Sequence, residues 1–268
     1  AVADMKSGVS YCNGWVGSRA VPSLIAIVAG FEDTCGGMLN ERYLLTKEKG
    51  NLKEANKIYG DAAEKFKKVD LPSRVAESYW KIARNLDLSG DYQKAAENFE
   101  NAFAGYKTAA QKIHQFSEFY LDYATYMKAW SEIQKAKLAH DNAKYATALK
   151  HYERTSDLLR QSKLWGYLSS NFHAWSLLEQ AEDFSRKESC SEAIGSFERA
   201  IKLFRESQRT LRAQLDGIDR IDEKDLVVKL IEVSNTREEY CHGRIEIEEA
   251  KILDKQGDHV ASSEKYEA

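Results

Sequence analysis

The stretch Gly90-Asp91-Tyr92-Gln93-Lys94-Ala95-Ala96-Glu97-Asn98-Phe99-Glu100-Asn101-Ala102 decides how this chain is read, because its skeleton occurs again and again. Turn residue, small residue, aromatic and small residue follow at the same offsets in Gly50-Asn51-Leu52, with Ala55, Tyr59 and Ala62. They return in Ala143-Lys144-Tyr145, with Ala148 and Tyr152, and in Glu188-Ser189-Cys190, with Ala193, Phe197 and Ala200. A fifth copy opens at Gly257-Asp258-His259 and reaches Tyr266. A small residue followed by a large apolar one stands upstream of three of the turns, as Ala83/Leu86, Ala181/Phe184 and Ala250/Leu253. Self-similarity at a spacing of tens of residues signals a repeat array.

Each part of the skeleton has a physical use in a helix–turn–helix unit. Gly-Asp ends one helix with a permissive residue and caps the next. The alanine one turn in lets two helices approach, and the aromatic one turn further fills the space between neighbours. Asn51 with Glu54, and Ser189 with Glu192, have capping-box spacing. Composition agrees with helices: two prolines and fifteen glycines in 268 residues are too few for the turns of a sandwich or barrel. Aromatics at 11% and a net charge of −3 argue against disorder.

Charge and cysteine usage exclude several classes. Basic and acidic residues, 39 and 42, nearly cancel, and the seven lysines against four acids in 47–68 are too dilute for a nucleic-acid stripe. The longest apolar run, 24–31, is too short to span a bilayer, and no leader pattern precedes it, so membrane insertion is not expected. Cys12, Cys35, Cys190 and Cys241 form no CxxC pair. They read as reduced thiols of a cytoplasmic protein, with a Cys12–Cys35 bridge left open. Glu239 and His242 have Glu-x-x-His spacing, but a di-iron site needs a second such pair and the chain has none. With no phosphate-loop, dinucleotide or nucleophile-elbow motif, no cofactor or metal is expected. The 216–257 region, with twelve acids and seven bases, reads as a solvated helix or as a face for a basic partner.

The skeleton resembles the tetratricopeptide repeat (TPR), and the resemblance covers roughly residues 38–268. It implies an all-α fold, a right-handed superhelical solenoid of antiparallel helix pairs. The turns are 40, 53, 45 and 69 residues apart, longer than the usual period of about 34. Helical patterns over 114–141, 165–187 and 222–256 lengthen the first helix of each pair, a style similar to the vesicle-fusion adaptors (SNAP-like) of the superfamily. Six of the fifteen glycines and only five charged residues fall in 1–37. That segment is therefore set apart as a non-repeat cap or the remnant of a neighbouring domain. Within it, residues 22–31 fit a buried strand or a short buried helix, and periodicity leaves both open.

In the family the first helix of each pair lines a concave groove where peptides dock. Carried onto this chain, the resemblance places Trp80, Arg84 and Asp87 there, then Trp130, Ile133, Lys137 and His140. Trp175, Leu178 and Glu182 follow, then Arg244 and Lys251. It implies a non-catalytic scaffold for a protein or peptide partner, with tryptophans as anchors. The same rings could instead bury against one another as core, and the aromatic-rich helix from Phe116 to Trp130 reads as sandwiched between neighbours. A second reading makes the repeats the sensing arm of a larger, protease-like enzyme whose catalytic domain lies N-terminal to this chain, with residues 1–37 as its tail. The fifth copy stops inside an expected helix, which fits a fragment and leaves self-association through an open end as a third reading.

Overall fold

Leaving one α-helix and entering another within two residues calls for a residue in the left-handed region, and the repeated turns supply it at the aligned position. The computed structural model describes residues 7–8 and 21–267. In it Gly90 and Gly257 have φ of 84° and 85°, while Ala143 and Glu188 take 52° and 58°. Each turn closes with the same two bonds. The left-handed residue donates its N–H three residues back, and the next residue donates five back. The pairs are Gly90 to Asp87 (3.0 Å) with Asp91 to Leu86 (3.0 Å), and Ala143 to His140 (2.7 Å) with Lys144 to Ala139 (2.8 Å). Glu188 to Ser185 with Ser189 to Phe184, and Gly257 to Asp254 with Asp258 to Leu253, complete the set, all at 3.0 Å. This Schellman closure satisfies carbonyls that a helix end would otherwise orphan.

The first copy departs from this pattern. Its left-handed residue is Lys47, with φ 57°, and Gly50 lies inside the helix that follows. Thr46 Oγ1 accepts from the Glu48 N–H at 3.3 Å and from the Asn51 side-chain amide at 3.2 Å, closing the turn early. Asn51 is thus helical and caps nothing. Ser189 does occupy the N-cap position but makes no side-chain cap bond, so neither expected capping box forms. Side-chain caps are instead made by Asp91, accepting from the Lys94 N–H (3.2 Å), and Asp258, accepting from the Ala261 N–H (3.1 Å).

The elements from residue 22 onward are α1 (Pro22–Thr46), α2 (Lys49–Lys68), α3 (Pro72–Ser89), α4 (Tyr92–Lys112) and α5 (Ser117–Asp141). They continue as α6 (Tyr145–Gln161), α7 (Ser169–Arg186), α8 (Cys190–Gln214), α9 (Ile221–Lys255) and α10 (His259–Glu267). Short 3₁₀ turns precede α5, α7 and α9. Among the described residues there is no strand, so the fold is all-α, and no helix is long and apolar enough to cross a membrane. The long patterns expected over 114–141, 165–187 and 222–256 correspond to α5, α7 and α9. The chain divides into two compact units, Ala1–Gln134 and Lys135–Ala268, with the division inside α5. Within the first unit α1 packs on α2, α2 on α3 and α3 on α4; within the second, each of α6 to α9 packs on its successor.

Residues 22–31 are helix, and α1 runs through the compositional change at residue 38 without a break. Val28, Ala29, Cys35 and Leu39 are buried. Gly36 lies under the Tyr59 ring of α2, where a Cβ would come within 2.6 Å, so the helices meet at glycine-only range. Lys65 on α2 reaches buried Glu32 at 2.7 Å, and Lys81 on α3 reaches Asp33 at 2.8 Å. The boundary expected at 37/38 therefore falls inside one helix. The low charge density of 22–37 is that of a helix buried on one side, with Pro22 at its first turn. Cys12 and most of the segment before residue 21 lie outside the described residues.

The repeated positions form the core. Ala95, Ala148 and Ala193 are fully buried five residues after their turns, and Phe99, Tyr152 and Phe197 are buried nine after. Seven residues before the turns stand Ala83, Ala136, Ala181 and Ala250, all with no exposed surface. Small residues at these crossings set a close helix separation, and each buried aromatic contributes about 2–3 kcal/mol of transfer free energy.

Candidate functional site

In the first unit the expected groove residues sit on α3 and α5. Trp80 is half-buried, edge-on to Tyr123 (6.3 Å between ring centres) and Tyr126 (6.2 Å) of α5. Trp130, also half-buried, stacks on Phe99 of α4 at 5.9 Å and meets Tyr126 edge-on at 6.0 Å. Tyr126 is buried between the two tryptophans, which accounts for an aromatic off the main stripe of α5, whereas Phe116 and Phe119 remain exposed. Ile133 is buried, Arg84 exposed and Asp87 half-buried. The two tryptophans thus belong to a continuous aromatic packing and keep part of each ring at the surface.

In the second unit the expected residues converge. Along α9, positions 237, 240, 244, 248 and 251 recur at spacings of three and four, and along α7 so do 175, 179, 182 and 185 (each a single helix face). Glu182, nearly buried, accepts from Tyr240 Oη at 2.7 Å and from Arg244 Nη1 at 2.6 and 2.8 Å. Arg244 Nη2 donates to Ser185 Oγ at 2.7 Å, and Lys251 Nζ donates to fully buried Glu248 at 2.7 Å. Ser185 donates to that same Glu248 carboxylate. At the end of α5, His140 Nδ1 lies 2.9 and 3.1 Å from the two oxygens of Glu179, which has no exposed surface.

The electrostatics follow from burial. The bond with Glu179 raises the His140 pKa above the ordinary histidine value, outweighing the lowering by burial. Glu179 is itself raised, because desolvation outweighs its bond to His140, so the pair retains a proton to higher pH than either group alone. Burial and the hydrogen bond to Glu182 push the Tyr240 hydroxyl up to about 12. Burial, with the nearby Glu182 charge, pushes the Cys241 thiol up to about 12. Neither group ionises near neutrality.

Trp175 is half-buried, tilted against Tyr152 of α6 at 5.6 Å and edge-on to Phe204 of α8 at 6.0 Å. The guanidinium of Arg237 lies over the ring, 4.8 Å from its centre and 5.7 Å from that of Tyr240. His140, Trp175, Glu182, Arg244 and Lys251 therefore share one seam; Lys137 is half-buried one turn before His140 on α5, and Leu178 is core. Arg237, Tyr240, Glu179, Ser185 and Glu248 were not anticipated. The helical spacing back from Arg244 would have identified Tyr240 and Arg237, and that forward from Trp175 would have identified Glu179. Of the 216–257 acids, Glu238 is held by Arg205, and Glu246 and Glu249 by Lys265. The acidic excess is thus partly neutralised within the fold. His242 is exposed, and among the described residues no group of three or more His, Cys, Asp or Glu is placed to hold a metal. No protein-family model and no curated protein matches this sequence.

Proposed function

We propose that this chain is a non-catalytic interaction scaffold of the TPR kind. In this reading the helix pairs stack as a right-handed superhelix, and a protein or peptide partner docks on the face lined by α3, α5, α7 and α9. The carrying observation is the recurrence of one Schellman turn at Gly90, Ala143, Glu188 and Gly257, with buried alanines and aromatics at fixed offsets around it. On the proposed face each unit contributes half-buried aromatic rings, Trp80 and Trp130 in one and Trp175 in the other, of the type that dominates binding energy at interfaces. The partner is a polypeptide in an intracellular, cytoplasmic setting, and nucleic acid is disfavoured by the balanced charge. The enzyme-arm reading loses the support a strand at 22–31 would have lent it, because those residues are helix packed on α2.

Affinity capture with the wild-type chain and with Trp80→Ala/Trp175→Ala tests the scaffold reading. Loss of the recovered partners in the double variant, with helicity retained by circular dichroism, is the expected result. Equal recovery by both proteins defeats the aromatic-face reading.

A further inference from the structure

Arg237 stands out in the seam of the second unit. The residue is half-buried and its guanidinium carbon lies 4.8 Å from the Trp175 ring centre and 5.7 Å from that of Tyr240, yet among the described residues it has no hydrogen-bond or ion-pair partner. Every nearby carboxylate is committed elsewhere. Glu179 faces His140, Glu182 holds Tyr240 and Arg244, Glu248 holds Ser185 and Lys251, and Glu238 holds Arg205. Glu179 is near enough to interact with Arg237 through space, but among the described residues no carboxylate makes a hydrogen bond or an ion pair with its guanidinium. A guanidinium held beside two aromatic rings keeps its N–H donors, whose planar fork matches a planar two-oxygen acceptor.

We infer that Arg237, clamped by Trp175 and Tyr240, binds an Asp or Glu side chain of an acidic peptide segment in the partner, while the exposed part of Trp175 packs against the same segment. The inference rests on the scaffold reading and specifies the chemistry of its partner. A carboxylate fits better than a phosphoryl group. The latter brings nearly twice the charge beside Glu179, Glu182 and Glu238, and has three acceptor oxygens where a single fork is open.

The probe is N-acetyl hexaglutamate amide, titrated into the full chain and followed by the indole N–H resonances, with Trp175 assigned through Trp175→Phe. Hexaglutamine, hexalysine and a phosphoserine hexapeptide are the comparison arms. Hexaglutamate is expected to shift the Trp175 signal. Arg237→Gln should weaken the titration at least about tenfold, as the loss of a charge-assisted bond implies. Arg237→Lys should weaken it too, because an ammonium cannot supply the fork, whereas Arg209→Gln, at an exposed position on α8, should not. Unchanged urea midpoints show that the variants are folded. Four results overturn the inference: no shift with hexaglutamate, equal binding by hexaglutamine, equal binding by Arg237→Gln, or binding of the phosphoserine peptide alone. A captured partner held equally by wild type and Arg237→Gln removes the acidic-peptide inference and leaves the scaffold. Equal capture by the Trp80/Trp175 variant removes the aromatic face itself.

Discussion

Replacing Ala143 with glycine should stabilise the protein, and replacing Gly90 with alanine should destabilise it by a similar amount. Both positions are the left-handed residue of the same turn, at φ 52° and 84°. An L-residue with a Cβ is held there at a cost of about 1–2 kcal/mol. Glycine escapes that cost but loses about 0.4–1 kcal/mol more conformational entropy on folding. The difference leaves Ala143→Gly ahead by about 0.5–1 kcal/mol, and Gly90→Ala behind by the same. At Gly90 an added Cβ would meet nothing within 4 Å, so no steric clash contaminates the comparison. Urea denaturation followed by circular dichroism, with the slope unchanged, measures each shift, and the thermal midpoint should move by about 2 °C in opposite directions. A neutral or destabilising Ala143→Gly, or a neutral Gly90→Ala, refutes the assignment of the two turns to one repeated motif.

Three further outcomes are expected. Stability should decline as pH rises above the ordinary glutamate value of about 4.5, and further as it rises above the ordinary histidine value of about 6.5. His140 and Glu179 both have raised folded-state pKa values, so both contributions are complete below the unfolded values and are lost as pH climbs through the folded ones. His140→Gln should flatten that decline in urea midpoints measured across the range. Arg244→Met leaves Glu182, only 6% exposed at its side chain, without its cation, and should cost about 3 kcal/mol. Glu182→Met/Arg244→Met should recover much of that loss, a non-additivity visible in the double-mutant cycle. Cys190 and Cys241 are buried thiols, the first raised chiefly by burial and the second pushed up to about 12. Iodoacetamide at pH 8 should therefore leave both unmodified in the native chain and alkylate both in urea, as read by peptide mass.

Much of the architecture was legible because the repeat is written in residues that local physics constrains. Alanines at helix crossings, an aromatic one turn on and a permissive turn residue can be aligned without knowing the fold. Ala143 and Glu188 illustrate how far this goes: neither is glycine, yet the flanking spacing placed both at the correct turn. The misreadings have local causes as well. Gly50 looked like a turn glycine, but Thr46 Oγ1 closes the chain three residues earlier, a competition between a hydroxyl and the backbone that composition does not reveal. The change at residue 38 looked like a domain seam because charge density reports solvent exposure, and α1 buries one side. In the second unit, analogy found Glu182, Arg244 and Lys251 but missed Arg237, whose distinguishing property is a missing partner. Absence of a partner is a property of the assembled side chains and leaves no mark on sequence spacing.

The polar seam also bears on why the second unit carries buried charge at all. Glu179 and Glu248 have no exposed surface and Glu182 almost none, among inward positions that are otherwise apolar or uncharged polar. Desolvating three carboxylates costs several kcal/mol each, and apolar residues of similar volume would usually serve stability as well or better. What the carboxylates accomplish is positional. Glu182 fixes Tyr240 and Arg244, Glu248 fixes Lys251 and Ser185, and Glu179 fixes His140, so the groups at the rim of the seam are held by their buried ends. Tyr240, locked through its hydroxyl, forms one wall for Arg237, and Trp175, locked between Tyr152 and Phe204, forms the other. A nearly buried carboxylate, Glu182, thus orients the Tyr240 ring against which the Arg237 guanidinium lies. Buried charge used in this way supports a surface geometry rather than the core, which is the arrangement a pre-organised binding residue requires.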